Sequence, residues 1–171
     1  PMRIGEWVEA PDWDPIPRCG GGIHGLLEAR GDWMLLHGAW WQVYEVSPDD
    51  VVRIDNEKAK FRSGRLVYFG NGEDQELLSF FDWKRFDSKT AYWWAYKIGD
   101  KEVMRDRVID SEWAYRWARD IGDREIMRDR ITESKWAYYW ARNIGDPEIM
   151  RKRITNQRLI KLGIIKGLWR E

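Results

Sequence analysis

Between residues 88 and 156 the apolar positions follow a helical spacing, and the whole pattern is written three times. Ser88-Lys-Thr-Ala-Tyr-Trp-Trp-Ala-Tyr-Lys-Ile-Gly-Asp, Ser111-Glu-Trp-Ala-Tyr-Arg-Trp-Ala-Arg-Asp-Ile-Gly-Asp and Ser134-Lys-Trp-Ala-Tyr-Tyr-Trp-Ala-Arg-Asn-Ile-Gly-Asp align without a gap, 23 residues apart. A fixed period of this length predicts stacked supersecondary units. In each unit Ala91, Trp94, Ala95 and Ile98, with their counterparts Ala114, Trp117, Ala118, Ile121 and Ala137, Trp140, Ala141, Ile144, form an i, i+3, i+4, i+7 stripe. That stripe predicts the inward face of a first helix. Ser88, Ser111 and Ser134 are expected to cap it, and Gly99, Gly122 and Gly145 to end it in a left-handed residue. Asp100, Asp123 and Asp146 are expected to cap a second helix, with Pro147 in its first turn. Val103, Met104 and Val108 and their equivalents Ile126, Met127, Ile131 and Ile149, Met150, Ile154 supply its apolar side.

Helices of two or three turns do not persist alone, so each unit must be held by its neighbours. Trp94, Trp117 and Trp140 are therefore expected as a core ladder, and the alanines as points of close approach. Residues 73–86 read as a helix capping the stack, repeats cover 88–110, 111–133 and 134–156, and 156–169 reads as a terminal helix that closes it. The remaining rows, Tyr92, Tyr115 and Tyr138, then Trp93, Arg116 and Tyr139, then Tyr96, Arg119 and Arg142, cannot all share the alanine and tryptophan face. Part of this aromatic and arginine surface is expected in solvent, where such residues favour partner contacts. In the alternative arrangement the tyrosines pack between repeats and the arginines pair with Asp120, Asp123 or Glu125. Arg105, Arg107, Arg128, Arg130, Arg151 and Arg153 form a second ladder near helix ends, read as a salt-bridged face that opposes the helix dipoles.

The first eighty residues alternate instead. Trp40–Ser47, Val51–Asp55, Ala59–Arg62 and Arg65–Phe69 read as short strands separated by turn residues, with further candidates at Ile4–Val8, Ile23–Leu27 and Trp33–Leu36. The expected fold is α+β: a small, mostly antiparallel head over 1–72 followed by a helical array over 73–171.

Composition narrows the class. The chain has 171 residues, and 43% hydrophobic with 34% charged content predicts a folded, soluble protein. The absence of a long apolar run or a leader-like start argues against membrane insertion and secretion, so a cytoplasmic location is expected. One cysteine excludes an internal disulfide. Charge is uneven: 8 basic against 14 acidic residues in 1–80, 14 of each in 81–150, and 7 against 1 in 151–171. The basic tail makes Arg151, Lys152, Arg153, Arg158 and Lys161 candidates for nucleic-acid contact, although the balance over 81–150 argues against a dedicated binder.

Chemistry is most suggestive at Arg18-Cys-Gly-Gly-Gly-Ile-His-Gly25. Its glycines allow a tight turn or a close ligand approach, but it lacks the Walker and Rossmann spacings. Cys19 and His24 are candidates for thiolate and base, His24 or His37 for acid/base catalysis, and His37 could join them with Asp12 or Asp14 around a metal. The plainer reading, a small structural cysteine and hydrogen-bonded histidines, is the one expected. The run Val8–Leu27 resembles the start of an uncharacterised phage and bacterial domain family with a Cys-Gly-x-Gly-aliphatic-His-Gly motif, here Cys19–Gly25. Its later segments match at Val43–Val46, Val52–Asp55, Lys58–Phe61 and Leu66–Gly70, Leu66 standing where that family has valine. The resemblance spans residues 6–72 and implies a phage or mobile-element setting, often with tandem repeats appended, and no reaction. The resulting expectation is a non-enzymatic protein without cofactor that binds a macromolecular partner, such as a host protein of a defence complex, through the repeat face. The alternatives are a nucleotide- or NAD-using enzyme at Cys19–Gly25, and nucleic-acid binding through the tail.

Overall fold

The computed structural model describes residues 3–29, 40–71 and 75–170. The strand expected at Trp33–Leu36 and the candidate His37 lie outside the described residues. The fold is α+β, and the chain divides into two compact units, Pro1–Phe86 with Lys97–Gly99, and Asp87–Tyr96 with Asp100–Glu171.

The first unit holds six strands, β1 (Trp7–Glu9), β2 (Ile23–Leu26), β3 (Trp40–Glu45), β4 (Val51–Arg53), β5 (Lys58–Phe61) and β6 (Ser63–Asn71). They form two antiparallel sheets, ordered β1-β6-β3 and β2-β5-β4. β6 alternates strictly: Gly64, Leu66, Tyr68 and Gly70 are buried while Arg65, Phe69 and Asn71 are exposed. That period of two gives it one core face and one wet face. Gly64 suits the close packing there, because a Cβ would lie 3.0 Å from the Phe61 ring and 3.2 Å from Val46. β5 differs, since Ala59, Lys60 and Phe61 are all buried and both its faces are covered. Residues 73–86, expected as one helix capping the array, group with this first unit. Their described part contains α1 (Gln75–Ser79) and a 3-10 turn at Trp83–Arg85. The Ser79 hydroxyl donates to the Glu76 carbonyl at 2.6 Å, so a side chain takes up backbone bonding capacity and the helix stops.

The second unit is the repeat array. α2 (Ser88–Lys97), α4 (Ser111–Asp120) and α6 (Ser134–Asn143) are the first helices of the three units, and α3 (Lys101–Arg105), α5 (Arg124–Asp129) and α7 (Pro147–Arg151) the second. Trp94, Trp117 and Trp140 are fully buried, as are Met104, Met127 and Met150, with Val108, Ile131 and Ile154 beside them. Val103, Ile126 and Ile149 are exposed, so they do not belong to the core side assigned to them from spacing. Each short second helix has room for only one fully buried side chain, the methionine at its centre.

Two capping expectations are corrected. The serines are the first residues of their helices and are buried or half-buried; they tie the end of their own unit back to its first helix rather than cap that helix. Ser88 Oγ accepts from the N–H groups of Ile109 and Asp110 at 2.9 and 3.2 Å, Ser111 Oγ from Thr132 and Glu133 at 2.9 and 3.2 Å, and Ser134 Oγ from Thr155 at 2.9 Å. The carboxylates of Asp100, Asp123 and Asp146 do not cap the second helices either. They accept from the indole N–H of Trp94, Trp117 and Trp140 at 3.0, 3.2 and 3.4 Å. A buried N–H without a partner costs more than a missing cap, so the indole takes the carboxylate. Gly99, Gly122 and Gly145 have φ of 108, 134 and 143°, the region that turns the chain toward those aspartates.

α8 (Gln157–Ile165) ends the array and is capped by Asn156, whose Oδ1 accepts from Arg158 N at 3.0 Å. The buried Trp169 folds back onto it, donates to the Ile160 carbonyl at 3.1 Å and meets Tyr138 edge-on at 6.3 Å. Its ring lies where a Cβ on residue 163 would sit, which is why that position is Gly163.

Trp117→Ala is expected to destabilise the array by about 3–5 kcal/mol. Trp117→Phe keeps most of the packing but removes the donor to Asp123, and should lose only about 1–2 kcal/mol. Chemical denaturation followed by circular dichroism measures both; a Trp117→Phe protein as stable as wild type would show that the indole N–H is idle.

Candidate recognition face of the repeat array

The first helices carry their outward groups at three positions per unit, spaced i, i+4, i+7 and therefore on one side of each helix. In chain order these are Lys89, Trp93 and Tyr96, then Glu112, Arg116 and Arg119, then Lys135, Tyr139 and Arg142. None is buried; Tyr96, Arg119, Lys135 and Arg142 are exposed and the other five half-buried. The three units thus display a grid of nine side chains containing five cations, three aromatic rings and one carboxylate.

The grid rests on a layer of rings. Arg116 lies over Trp113 at 4.7 Å, Lys135 over Trp136 at 4.6 Å and Arg119 over Tyr115 at 5.6 Å. Cations seated on aromatic faces are held in place without losing their outward charge. Beneath them Tyr92 contacts Trp113 at 5.3 Å, and Tyr115 contacts Trp136 at 5.5 Å. Trp113 and Trp136 have no role in the repeat as read from spacing; in the structure they face the tyrosine of the preceding unit. The first unit has Thr90 at that position.

Tyr92, Tyr115 and Tyr138 are buried, which corrects their assignment to an exposed row. Tyr92 donates to Asp120 Oδ2 at 2.7 Å, and Asn143 Nδ2 donates to the Tyr115 hydroxyl at 2.7 Å, both bonds reaching into the following unit. The tyrosines are inter-unit bolts, and the packed alternative is the arrangement found for them. Their identity in all three copies is the signal that marks them, because Trp93, Arg116 and Tyr139 differ from copy to copy.

Asp120 joins two of these systems. It accepts from Tyr92 and also from Arg119 Nε and Nη2 at 2.6 and 2.8 Å. Burial raises its pKa, but the hydrogen bonds from Arg119 and Tyr92 outweigh that and hold the carboxyl below the usual range. Burial first, and then the bond to Asp120, push the Tyr92 phenol well above its ordinary value. Arg116 pairs with Glu112 at 2.8 Å. Lys135 and Arg142 make no hydrogen bond or ion pair among the described residues.

Elsewhere the arginines are structural. Arg130 Nη1 donates to the carbonyls of Arg105 and, at 2.7 Å, Val108; Arg153 Nη1 donates to those of Arg128 and, at 3.0 Å, Ile131. Each satisfies the C-terminal end of the preceding unit's second helix, where carbonyls lack intrahelical donors. Arg153 is therefore committed within the array, whereas Lys152, Arg158 and Lys161 are exposed and Arg151 is half-buried.

In the first unit the glycine loop is a folded structure rather than an open one. Gly20, Gly21 and Gly22 all have positive φ, and the fully buried Lys60 donates to the Gly20 carbonyl at 2.8 Å from beneath. Asp12 Oδ1 accepts from Gly22 N at 3.2 Å and Asp14 Oδ1 from Ile16 N at 3.0 Å. The bond from Ile16 leads the causes that hold Asp14 below its usual pKa. Both aspartates thus bind backbone N–H groups. Cys19 and His24 are exposed. Among the described residues no three His, Cys, Asp or Glu side chains converge as a metal site. A cavity of about 520 Å3 lies beside β2, walled mainly by Leu26, Val43, Tyr44, Phe61 and Phe81, and His24 is on its lining. No described helix is long and apolar enough to cross a membrane.

The fold and face define a class, a small β head followed by a stack of helical hairpins with an aromatic and cationic outer side. The chain matches no protein-family model, no curated protein and no solved structure.

Asp120→Asn tests the electrostatics. A carboxyl whose folded pKa is depressed contributes stability above its unfolded pKa, and that contribution is lost as pH falls through the folded value. The wild type should therefore lose array stability on acidification below about pH 4. The amide introduced by Asp120→Asn, in the role that Asn143 already fills against Tyr115, should flatten that dependence. Thermal melts from about pH 7 down through the ordinary carboxylate range to about pH 2.5 provide the measurement. Parallel curves would show that Asp120 does not carry the acid sensitivity.

Proposed function

We propose that this chain is a non-enzymatic binding protein whose repeat array engages a macromolecular partner through the nine-residue grid on its first helices. The observation that carries this reading is the division of labour within each unit. The recurrent serine, tyrosine and tryptophan side chains bond inside the array, while the grid positions change from unit to unit and none of them is buried. Tyrosine, tryptophan and arginine supply large contact area with directional polar groups, and residues of this kind dominate interaction hot spots. The resemblance over residues 6–72 supports placing the protein in a phage or mobile element. In that setting the partner is a host protein, with a defence complex as the leading candidate.

The test is affinity capture from bacterial host lysate, comparing wild type with the double variant Tyr96→Ala, Arg142→Ala. Arg142 makes no hydrogen bond or ion pair among the described residues, whereas Tyr96 stacks on Tyr92 and meets Trp93 edge-on, so the double variant should stay folded, with wild-type circular dichroism, and lose about 1 kcal/mol of stability. Recovery of the specific partner should fall at least tenfold. Undiminished capture by a folded double variant would place recognition on another surface.

A further inference from the structure

We infer that the ligand of this face is an acidic, extended protein segment that carries carboxylates and apolar side chains on the same side. This inference rests on the proposed recognition role and names the chemistry of the partner. Among the nine grid positions Lys89, Arg116, Arg119, Lys135 and Arg142 stand against a single acid, Glu112, and that acid is already bound to Arg116 at 2.8 Å. Arg119 is paired from the side by Asp120, which leaves Lys135 and Arg142 in the third unit as the charges that nothing described neutralises. The face therefore offers more positive charge than it balances itself, although residues 81–150 as a whole carry equal numbers of acids and bases.

The geometry fits carboxylates. A guanidinium seated over a ring, as Arg116 is over Trp113, keeps its N–H edges directed sideways, where planar, bidentate acceptors approach. Arg116 and Arg119 are one turn apart on α4, about 5–6 Å, Lys135 and Arg142 are two turns apart on α6, about 10 Å, and packed helices put cations of adjacent units about 8–10 Å apart. In an extended chain every second side chain faces the same way, so acids two residues apart lie about 7 Å from each other on one side. Such a segment reaches from one cation to the next, and apolar residues on that same side fall on Trp93, Tyr96 and Tyr139. A nucleic-acid backbone fits less well. Glu112 lies within the grid and Asp120 beside it, and a polyanion needs a cationic stripe uninterrupted by carboxylates.

The experiment uses the full chain with three fluorescent probes in an anisotropy titration. The first is a 20-residue peptide of repeating Glu-Ser-Glu-Ser-Leu-Gly-Tyr-Gly, whose acidic and apolar residues share one side when extended, the second has glutamine at every glutamate, and the third is a 20-nucleotide single-stranded DNA of mixed sequence. The acidic peptide should bind at least tenfold more tightly than the other two. Its affinity should drop with added salt, and should fall at least tenfold again in the double variant Lys135→Glu, Arg142→Glu. Equal binding of the glutamine peptide, tighter binding of the DNA, or no response to charge reversal in a variant with wild-type circular dichroism would each overturn the inference. Loss of the captured host partner from the Tyr96→Ala, Arg142→Ala protein, combined with indifference to the acidic peptide, would remove the acidic ligand and leave the recognition face standing.

Discussion

A tryptophan buried to zero exposure carries an N–H into the core with it, and the rest of the array depends on where that N–H goes. In all three units it goes to the aspartate six residues later. The bond fixes the turn between the two helices, since the chain must leave the first helix, pass through a positive-φ glycine and bring the carboxylate back over the ring. Ala91, Ala114 and Ala137, with no exposure at all, let neighbouring backbones close on those indoles. A helix pair that is too short to survive alone becomes one rigid module.

Modules are then closed and joined by bonds that repeat at fixed separations. The serine hydroxyl accepts from backbone N–H groups 21 and 22 residues ahead, and the tyrosine hydroxyl meets a side chain 28 residues ahead. An arginine reaches 22 and 25 residues back to helix-end carbonyls. The serine bonds close each unit on itself, while the tyrosine and arginine bonds cross a unit boundary, so stability is shared between neighbours, as in other linear repeat folds. The last unit has no successor. Trp169 approaches Tyr138 edge-on and lies across Gly163, giving the final unit a partner that the following helix supplies.

The legible part of this structure is the part set by local spacing. Helices recurring at a 3.6-residue period, glycine at their ends and alternating strands in the head are readable because each depends on residues within a few positions. Ser111 and Asp123 read as caps because capping is the local use of those side chains, and in this chain each is claimed by a non-local or buried donor. The tyrosine row misleads for a related reason: position on the helix shows that Tyr115 leaves the alanine stripe, but not that the next unit covers it. In the head, sheet order and the bond from Lys60 to Gly20 span dozens of residues, and no periodicity reports them. They do explain why two stretches that read as separate motifs belong together. β2 continues from the glycine loop and pairs with β5, and β5 carries the lysine that holds the loop.

The three copies in one chain form an internal comparison that separates structure from display. Serine, both alanines, tyrosine, the buried tryptophan, isoleucine, glycine and aspartate are the same in every unit, and most of them lie in the packing, the inter-unit bonds or the turn. Grid positions read Lys, Trp, Tyr in one copy, Glu, Arg, Arg in the next and Lys, Tyr, Arg in the third. A face needed only to keep the array wet could be filled by any charged residue, and it would have little cause to set large aromatic rings among the cations. Rings are unfavourable in water, and Tyr96 remains 48% exposed in the finished fold. The arrangement is explained if another molecule covers those rings, and the surplus of positive charge around them limits what that molecule can be.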